Sequence, residues 1–256
     1  MKIIILAGGL GTRLSEYTKK IPKPMVDING KPILMHIIES YKRYGFSEFC
    51  IALGYKGDVI RRYFFDLAGH SESAIDELMT KDTVTVKIPQ FNIDVTLANT
   101  GKDTLTGGRL KRLKAYIGNE TFMLTYGDGL SDVNFTELLT AHKKANKLVT
   151  VTAVHPIARF GELKIDEHDN VTSFKEKPQM EQGWVNGGFF VVEPKILEFI
   201  EDDTTIFEEE PLEQAANINQ FLAYKHEGFW YCMDTQRDKD FLENLCSNGE
   251  MPWMVI

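Results

Sequence analysis

Three glycines in four positions follow the first apolar run, in Leu6-Ala7-Gly8-Gly9-Leu10-Gly11-Thr12-Arg13-Leu14. Lacking Cβ atoms, such a loop can turn tightly and bring its N–H groups against anionic oxygens or a base. Arg13 adds a planar cation able to grip phosphate oxygens by two bonds at once. Lys23 stands between Pro22 and Pro24, whose rings hold Ile21 and Lys23 extended, so an ammonium is presented from a stiff segment. The loop lacks the Gly-Lys-Ser/Thr of a P-loop, and Leu14 occupies the place of the third glycine in the dinucleotide fingerprint. A plain strand-to-helix connection with Lys23 in solvent would explain a lone glycine loop; the added Arg13 and Pro-Lys-Pro weigh against that reading.

Two aspartates each end a strand-like run. Asp128 follows Thr121–Tyr126 through Gly127, and Asp234 follows Phe229-Trp230-Tyr231-Cys232-Met233. The carboxyl ends of strands are where open α/β sheets gather ligands, and Mg²⁺ in phosphoryl-transfer sites takes one or two carboxylates plus phosphate oxygens and water. Each aspartate alone also suits a turn or a helix cap, Asp234 especially, because Thr235 and a closing helix follow it.

The elements that must position these groups read as α/β. Lys2–Leu6 is a short buried strand. Pro32 opens a helix in which Ile33, Leu34, Ile37, Ile38 and Tyr41 recur at helical spacing up to a stop at Gly45, and Glu48–Leu53 is the next strand. Strand, helix and strand in that order favour a parallel sheet. A helix is expected around Arg61–Leu67, with alternating segments at Thr83–Ile88 and Ile93–Ala98 treated as a hairpin insertion. A basic helix near Arg109–Tyr116 and strands at Thr121–Tyr126 and Leu148–Val154 resume the core. Leu163/Ile165 and Val171–Lys175, flanking polar Asp166–Asn170, predict an antiparallel hairpin. Phe189–Val192, Gln220–Tyr224 and Phe229–Cys232 are further strands, and Arg237–Cys246 is a closing helix. One continuous domain over 1–256, with an insertion at about 61–106, is the economical organisation.

Composition narrows the function classes. With 37 acidic against 29 basic residues the formal charge is -8, and no Lys/Arg run forms a nucleic-acid patch, so a nucleic-acid partner is disfavoured. Cys50, Cys232 and Cys246 show neither zinc spacing nor a C-x-x-C pair, and read as reduced thiols of a cytoplasmic protein. No apolar stretch nears the roughly 20 residues needed to cross a bilayer, so no membrane partner is expected. The six histidines form no metal spacing, and Glu208-Glu209-Glu210 reads as a solvated acidic face or a helix start.

Leu-Ala-Gly-Gly-Leu-Gly-Thr-Arg-Leu followed by Pro-Lys-Pro-Met resembles the signature of the sugar nucleotidyltransferases, and Tyr126-Gly127-Asp128-Gly129 with Met233-Asp234-Thr235 resembles that family's two metal-binding segments. Thr104-Leu105-Thr106-Gly107-Gly108-Arg109, Glu210-Pro211-Leu212 and His226-Glu227-Gly228-Phe229-Trp230 are similar to the glucose-1-phosphate cytidylyltransferases within it. The resemblance implies a Rossmann-like mixed sheet flanked by helices, with a smaller antiparallel sugar-binding part. It also implies nucleotide contacts at Leu6, Ala7, Gly8, Gly9, Leu10, Gly11, Thr12, Arg13, Lys23, Thr104, Arg109 and Gly127, with Arg13 and Lys23 acting on the phosphates. Mg²⁺ would sit on Asp128 and Asp234. The sugar phosphate would lie against Gly161, with Lys177 on its phosphate and Glu176 and Asn186 on hydroxyls, positions that are ordinary turns without the resemblance. A helix start capped by Thr106, with Arg109 in solvent, is the plainer reading of 104–109. The implied substrates are CTP and glucose 1-phosphate, in a homo-oligomer; base choice rests on the resemblance alone. A non-catalytic nucleotide-sugar sensor on the same fold is the rival, and a nicotinamide oxidoreductase a weaker one.

Overall fold

Alternate residues of the first strand face opposite cores. In β1 (Lys2–Ala7), Ile3, Ile5 and Ala7 pack in one apolar cluster while Ile4 and Leu6 pack in another, all of them buried. A strand buried on both faces must read as a continuous apolar run, which is why Ile3-Ile4-Ile5-Leu6 carries no polar alternation. The computed structural model describes residues 1–156, 162–175 and 183–254.

The further strands are β2 (Asp27–Ile28), β3 (Lys31–Pro32), β4 (Glu48–Leu53), β5 (Thr83–Ile88), β6 (Ile93–Asn99), β7 (Phe122–Tyr126), β8 (Gly129–Ser131), β9 (Val149–Val154), β10 (Glu162–Ile165), β11 (Val171–Lys175), β12 (Val185–Val192), β13 (Phe221–His226) and β14 (Trp230–Cys232). Seven of them join β1 in one mixed sheet in the order β13-β9-β12-β7-β1-β4-β6-β5. β1 pairs parallel with β4 and β7, β4 parallel with β6, and β9 parallel with β13, whereas β12 runs antiparallel to β7 and β9 and β5 antiparallel to β6.

One face is covered by the helices Ile33–Arg43, Gly57–Leu67, Phe135–Ala145 and Gln236–Ser247, where Tyr41 stacks on Phe135 with ring centroids 3.9 Å apart. The other face is covered by Thr106–Arg112, Lys114–Ile117, the 3₁₀ segment Pro194–Phe199 and Glu210–Asn217, around Leu110, Phe190 and Phe207. This is the three-layer α/β arrangement expected of strands alternating with helices.

The segment at about 61–106 contributes β5 and β6 to the main sheet. β6 pairs with β4 from Asp94 to Asn99, and β5 closes the edge with Val84, Val86 and Ile88 inward and Thr83, Thr85 and Lys87 outward. The expected hairpin after residue 161 is present as β10 and β11, a separate antiparallel pair. No helix among the described residues is long and apolar enough to cross a membrane.

Candidate active site

β1, β4 and β7 end on the same side of the sheet, and the loops that leave β1 and β7 form one wall of a cavity of about 350 Å³. Gly11, in this wall, has φ +61°, and a Cβ there would lie 2.9 Å from Thr18 Cγ2 and 3.1 Å from Lys23 Cβ, so the turn requires glycine. The Thr18 hydroxyl donates to the Gly11 carbonyl (3.1 Å) and fastens the loop to the segment behind it. Gly127 N–H donates to the Leu6 carbonyl (3.0 Å), which holds the turn after β7 against the end of β1.

Tertiary structure joins the two aspartates through a small ribbon. β8 leaves Asp128 and pairs antiparallel with β14, Gly129 opposite Cys232, and Met233 N–H donates to the Asp128 carbonyl (3.0 Å), so Asp234 arrives beside Asp128. The cap of the following helix falls to Thr235 and Asp238: the Asp238 carboxylate accepts from Asp234 N (3.0 Å), Thr235 N (2.7 Å) and the Thr235 hydroxyl (2.8 Å). The Asp234 side chain is thereby free for the cavity, so capping and cavity roles fall on different residues.

Lys23 Nζ donates to Asp128 Oδ2 and Asp234 Oδ1, each at 2.6 Å, and Arg13 Nη1 donates to Asp234 Oδ2 at 2.9 Å. Lys23 is nearly enclosed while Arg13 is exposed over 68% of its side chain, so the lysine is fixed and the arginine can swing onto a ligand. Burial alone would lower the Lys23 ammonium; the Asp128 charge and the bonds to both carboxylates outweigh it and hold Lys23 above an ordinary lysine. Cys232 closes the group, with ligand atoms of Asp128, Cys232 and Asp234 within 4.8 Å of one another, and its thiol is pushed up by burial and then by Asp128. This is the only such cluster among the described residues. Two carboxylates already drawn around an ammonium are a hard-oxygen donor set suited to a divalent cation such as Mg²⁺.

Arg109 is 4% exposed, and its environment is neither solvent nor a helix face. Its guanidinium donates to the carbonyls of Leu53 (3.0 Å), Gly101 (2.7 Å) and Gly8 (3.1 Å) and to the Thr100 hydroxyl (2.8 Å), tying together the ends of β1, β4 and β6. Burial, and after it the Arg112 charge, lowers the pKa of Arg109. Thr106 caps no backbone N–H of the helix it begins; its hydroxyl accepts from Phe207 N (2.9 Å) and donates to Glu208 (2.5 Å). Of the two readings of Glu208-Glu209-Glu210, the helix start holds, since a helix begins at Glu210; Glu209 and Glu210 are exposed, but Glu208 is half-buried and also accepts from the Tyr126 hydroxyl (2.5 Å), so it is not part of a solvated face.

Of the residues singled out in the sequence, Leu6, Ala7, Gly8, Gly9, Gly11, Thr12, Arg13, Lys23, Thr104, Arg109, Gly127, Asp128 and Asp234 line the cavity. Leu10 does not, and its side chain is 55% exposed. Asn186 lies beside the cavity, its Nδ2 3.5 Å from the Tyr126 hydroxyl. Gly161, Glu176 and Lys177 fall outside the described residues. Pro24, Leu105, Thr106 and Tyr126 also line the cavity; each lies within a motif quoted from the sequence, but none was given a contact of its own there.

Residues 2–244 match the family model described as nucleotidyl transferase. The chain belongs to this family. It is 45% identical over 257 residues to a glucose-1-phosphate cytidylyltransferase of Salmonella typhi, covering 99% of this chain and 98% of that one. It is 40% identical to a probable glucose-1-phosphate cytidylyltransferase of Bacillus subtilis (strain 168), over the whole of both chains. Among solved structures it resembles HddC from Yersinia pseudotuberculosis (TM-score 0.66, 26% identity, 95% of this chain and 98% of that one). A UDP-glucose pyrophosphorylase complexed with UDP-glucose (TM-score 0.70, 18% identity, 97% and 99%) shares the fold. In nucleotidyl transferase terms the chain is an enzyme that works on phosphates, and the cavity's Arg13, Lys23, Asp128 and Asp234 suit that chemistry.

Proposed function

We propose that the chain joins CTP and α-D-glucose 1-phosphate to give CDP-glucose and pyrophosphate, and that it does so in the cytoplasm as a homo-oligomer. The observation that carries this reading is the meeting of Lys23, Arg13, Asp128 and Asp234 beside the glycine loop, in a chain 45% identical to a glucose-1-phosphate cytidylyltransferase.

A phosphate oxygen of the sugar phosphate attacks the α-phosphorus of CTP in line, the bond to the bridging oxygen breaks, and pyrophosphate leaves. The attacking group is already an anion, so no side-chain nucleophile or base is needed; the protein must align two polyanions and offset their repulsion. The backbone of 8–12 approaches the nucleotide, Arg13 swings onto the outer phosphates, and Lys23 lies where the α-phosphate meets the incoming anion. Asp128 and Asp234 would hold Mg²⁺, which when bound neutralises developing charge on the phosphate oxygens. Asn186, with Glu176 and Lys177 beyond the described residues, would take the sugar phosphate, with Gly161 allowing its close approach.

The test is pyrophosphate release with Mg²⁺, offering CTP, UTP, dTTP, ATP and GTP in turn against glucose 1-phosphate and other sugar phosphates. Selective release with CTP and glucose 1-phosphate is the expected result. Selectivity for another pair overturns the substrate assignment, and silence across the panel moves the reading to a nucleotide-sugar sensor.

A further inference from the structure

Glu208 lies just ahead of the helix Glu210–Asn217, in an acidic run that reads from sequence as a solvated face or a helix start, and both of its carboxylate oxygens are taken by hydroxyls of cavity-lining residues. Oε1 accepts from the Tyr126 hydroxyl and Oε2 from the Thr106 hydroxyl, each at 2.5 Å. The two donors belong to different elements that line the cleft. Thr106 starts the helix that carries Arg109, two residues beyond Thr104, and Tyr126 ends β7 two residues before Asp128.

The proton directions along this chain are set by its neighbours. Thr106 Oγ1 already accepts from Phe207 N (2.9 Å), so its own proton goes to Glu208. Asn186 Oδ1 accepts from Gly188 N (2.8 Å), which turns its Nδ2 toward the Tyr126 oxygen at 3.5 Å. An ionised carboxylate only accepts, so the Tyr126 hydroxyl is the donor to Glu208. The rest of the segment is bound to the same loop by its backbone: Leu105 N–H donates to the Asp203 carbonyl (2.8 Å) and Gly107 N–H to the Thr205 carbonyl (3.0 Å).

We propose that Glu208 is a positioning residue that locks the nucleotide loop, through Thr106, to the sugar-phosphate side of the cleft, through Tyr126 and Asn186. It touches neither substrate. It sets the separation of two walls that must present two anions in line, and a carboxylate does this because it accepts two hydroxyl donors at once in charge-assisted bonds. The proposal rests on the substrate reading above, since it assumes that the two walls hold different substrates.

The experiment compares the parent with Glu208→Ala, Glu208→Gln, Tyr126→Phe and Thr106→Val in steady-state kinetics, below the unfolding midpoint of every variant. Glu208→Ala should raise KM for both nucleotide and sugar phosphate, each on the order of tenfold, the scale of losing one charge-assisted bond. Tyr126→Phe should raise KM chiefly for the sugar phosphate and Thr106→Val chiefly for the nucleotide. Glu208→Gln should recover most of the loss, because its amide can bridge the same two oxygens with one bond reversed. A structural role alone would lower the midpoint of Glu208→Ala and leave both KM values unmoved, and that result overturns the proposal. So does an equal effect of Tyr126→Phe on both substrates. The substrate reading is judged on the parent, and the variants are scored with whichever pair the parent selects, so the two failures appear in different proteins.

Discussion

Substituting Arg109 by alanine removes the guanidinium that ties three strand ends together, and the cost can be worked from its partners. The Leu53 carbonyl keeps two other donors, Thr100 N (2.9 Å) and the Thr100 hydroxyl (2.7 Å), and the Gly8 carbonyl keeps Tyr55 N at 3.2 Å. The Gly101 carbonyl and the acceptor lone pair of the Thr100 hydroxyl lose the Arg109 bonds at 2.7 and 2.8 Å with no replacement among the described contacts. Two charge-assisted bonds at about 1.5 kcal/mol each give a loss of about 3 kcal/mol, a drop of about 6–12 °C in midpoint for a chain of this size. Thermal unfolding followed by circular dichroism measures it, with urea unfolding as a second reading. Gly8→Ala attacks the same contact from the other side, since a Cβ at Gly8 would overlap the guanidinium carbon. It should therefore cost less in the Arg109→Ala background than in the parent. A midpoint for Arg109→Ala within about 2 °C of the parent, less than 1 kcal/mol on the same scale, would refute the argument that Arg109 is first a loop anchor.

Asp128→Asn should reduce Mg²⁺-dependent pyrophosphate release by at least about a hundredfold while leaving the circular dichroism spectrum unchanged; full activity would defeat its assignment as a metal ligand. Lys23→Met frees both carboxylates of their ammonium, so the free protein should bind Mn²⁺ more tightly by electron paramagnetic resonance even as turnover is lost; unchanged Mn²⁺ affinity would show that the two cations do not compete. His36 is 2% exposed, donates from Nε2 to the Ile28 carbonyl (2.9 Å) and accepts at Nδ1 from Trp253 (3.2 Å), and burial lowers it. Its unfolded value is about 6.5, so this contribution is complete above that pH and is lost as pH falls toward the lowered folded value. The urea midpoint should drop between about pH 7.5 and 5.5, and by less in His36→Gln; equal drops would exclude His36 as the cause. Cys50 is fully buried with its thiol pushed up to about 12, so it should resist thiol reagents in the native protein until unfolding exposes it, as mass spectrometry after labelling would show.

Much of the fold was legible because local rules governed it. The Ile3–Leu6 run, Pro32 at a helix start, Gly45 after its end and the Glu48–Leu53 run all became the expected elements. The pairing of β6 with β4 was not legible: Ile93–Asn99 alternates weakly, and only its neighbour in the sheet distinguishes a central strand from the arm of a hairpin. The glycine loop, Arg13, Lys23 and both aspartates could be flagged from residue type and resemblance. The contact between Tyr126 and Glu208 could not, because a tyrosine in a strand and one acid among three carry no local mark of a mutual hydrogen bond.

By itself the sequence determined which chemistries were available: a glycine-rich backbone at 8–11 able to approach an anion, cations at 13 and 23, and carboxylates at 128 and 234. Those are properties of residue types and short spacings. Only the tertiary structure decided which of them meet. The β8–β14 ribbon carries Asp234 to Asp128, their charges draw Lys23 between them, and the crossing of three strand ends turns Arg109 from a surface cation into a buried tie. A hydrogen bond acts over about 3 Å, whereas its partners here stand up to a hundred and more residues apart, so the folded chain alone can bring such pairs within reach.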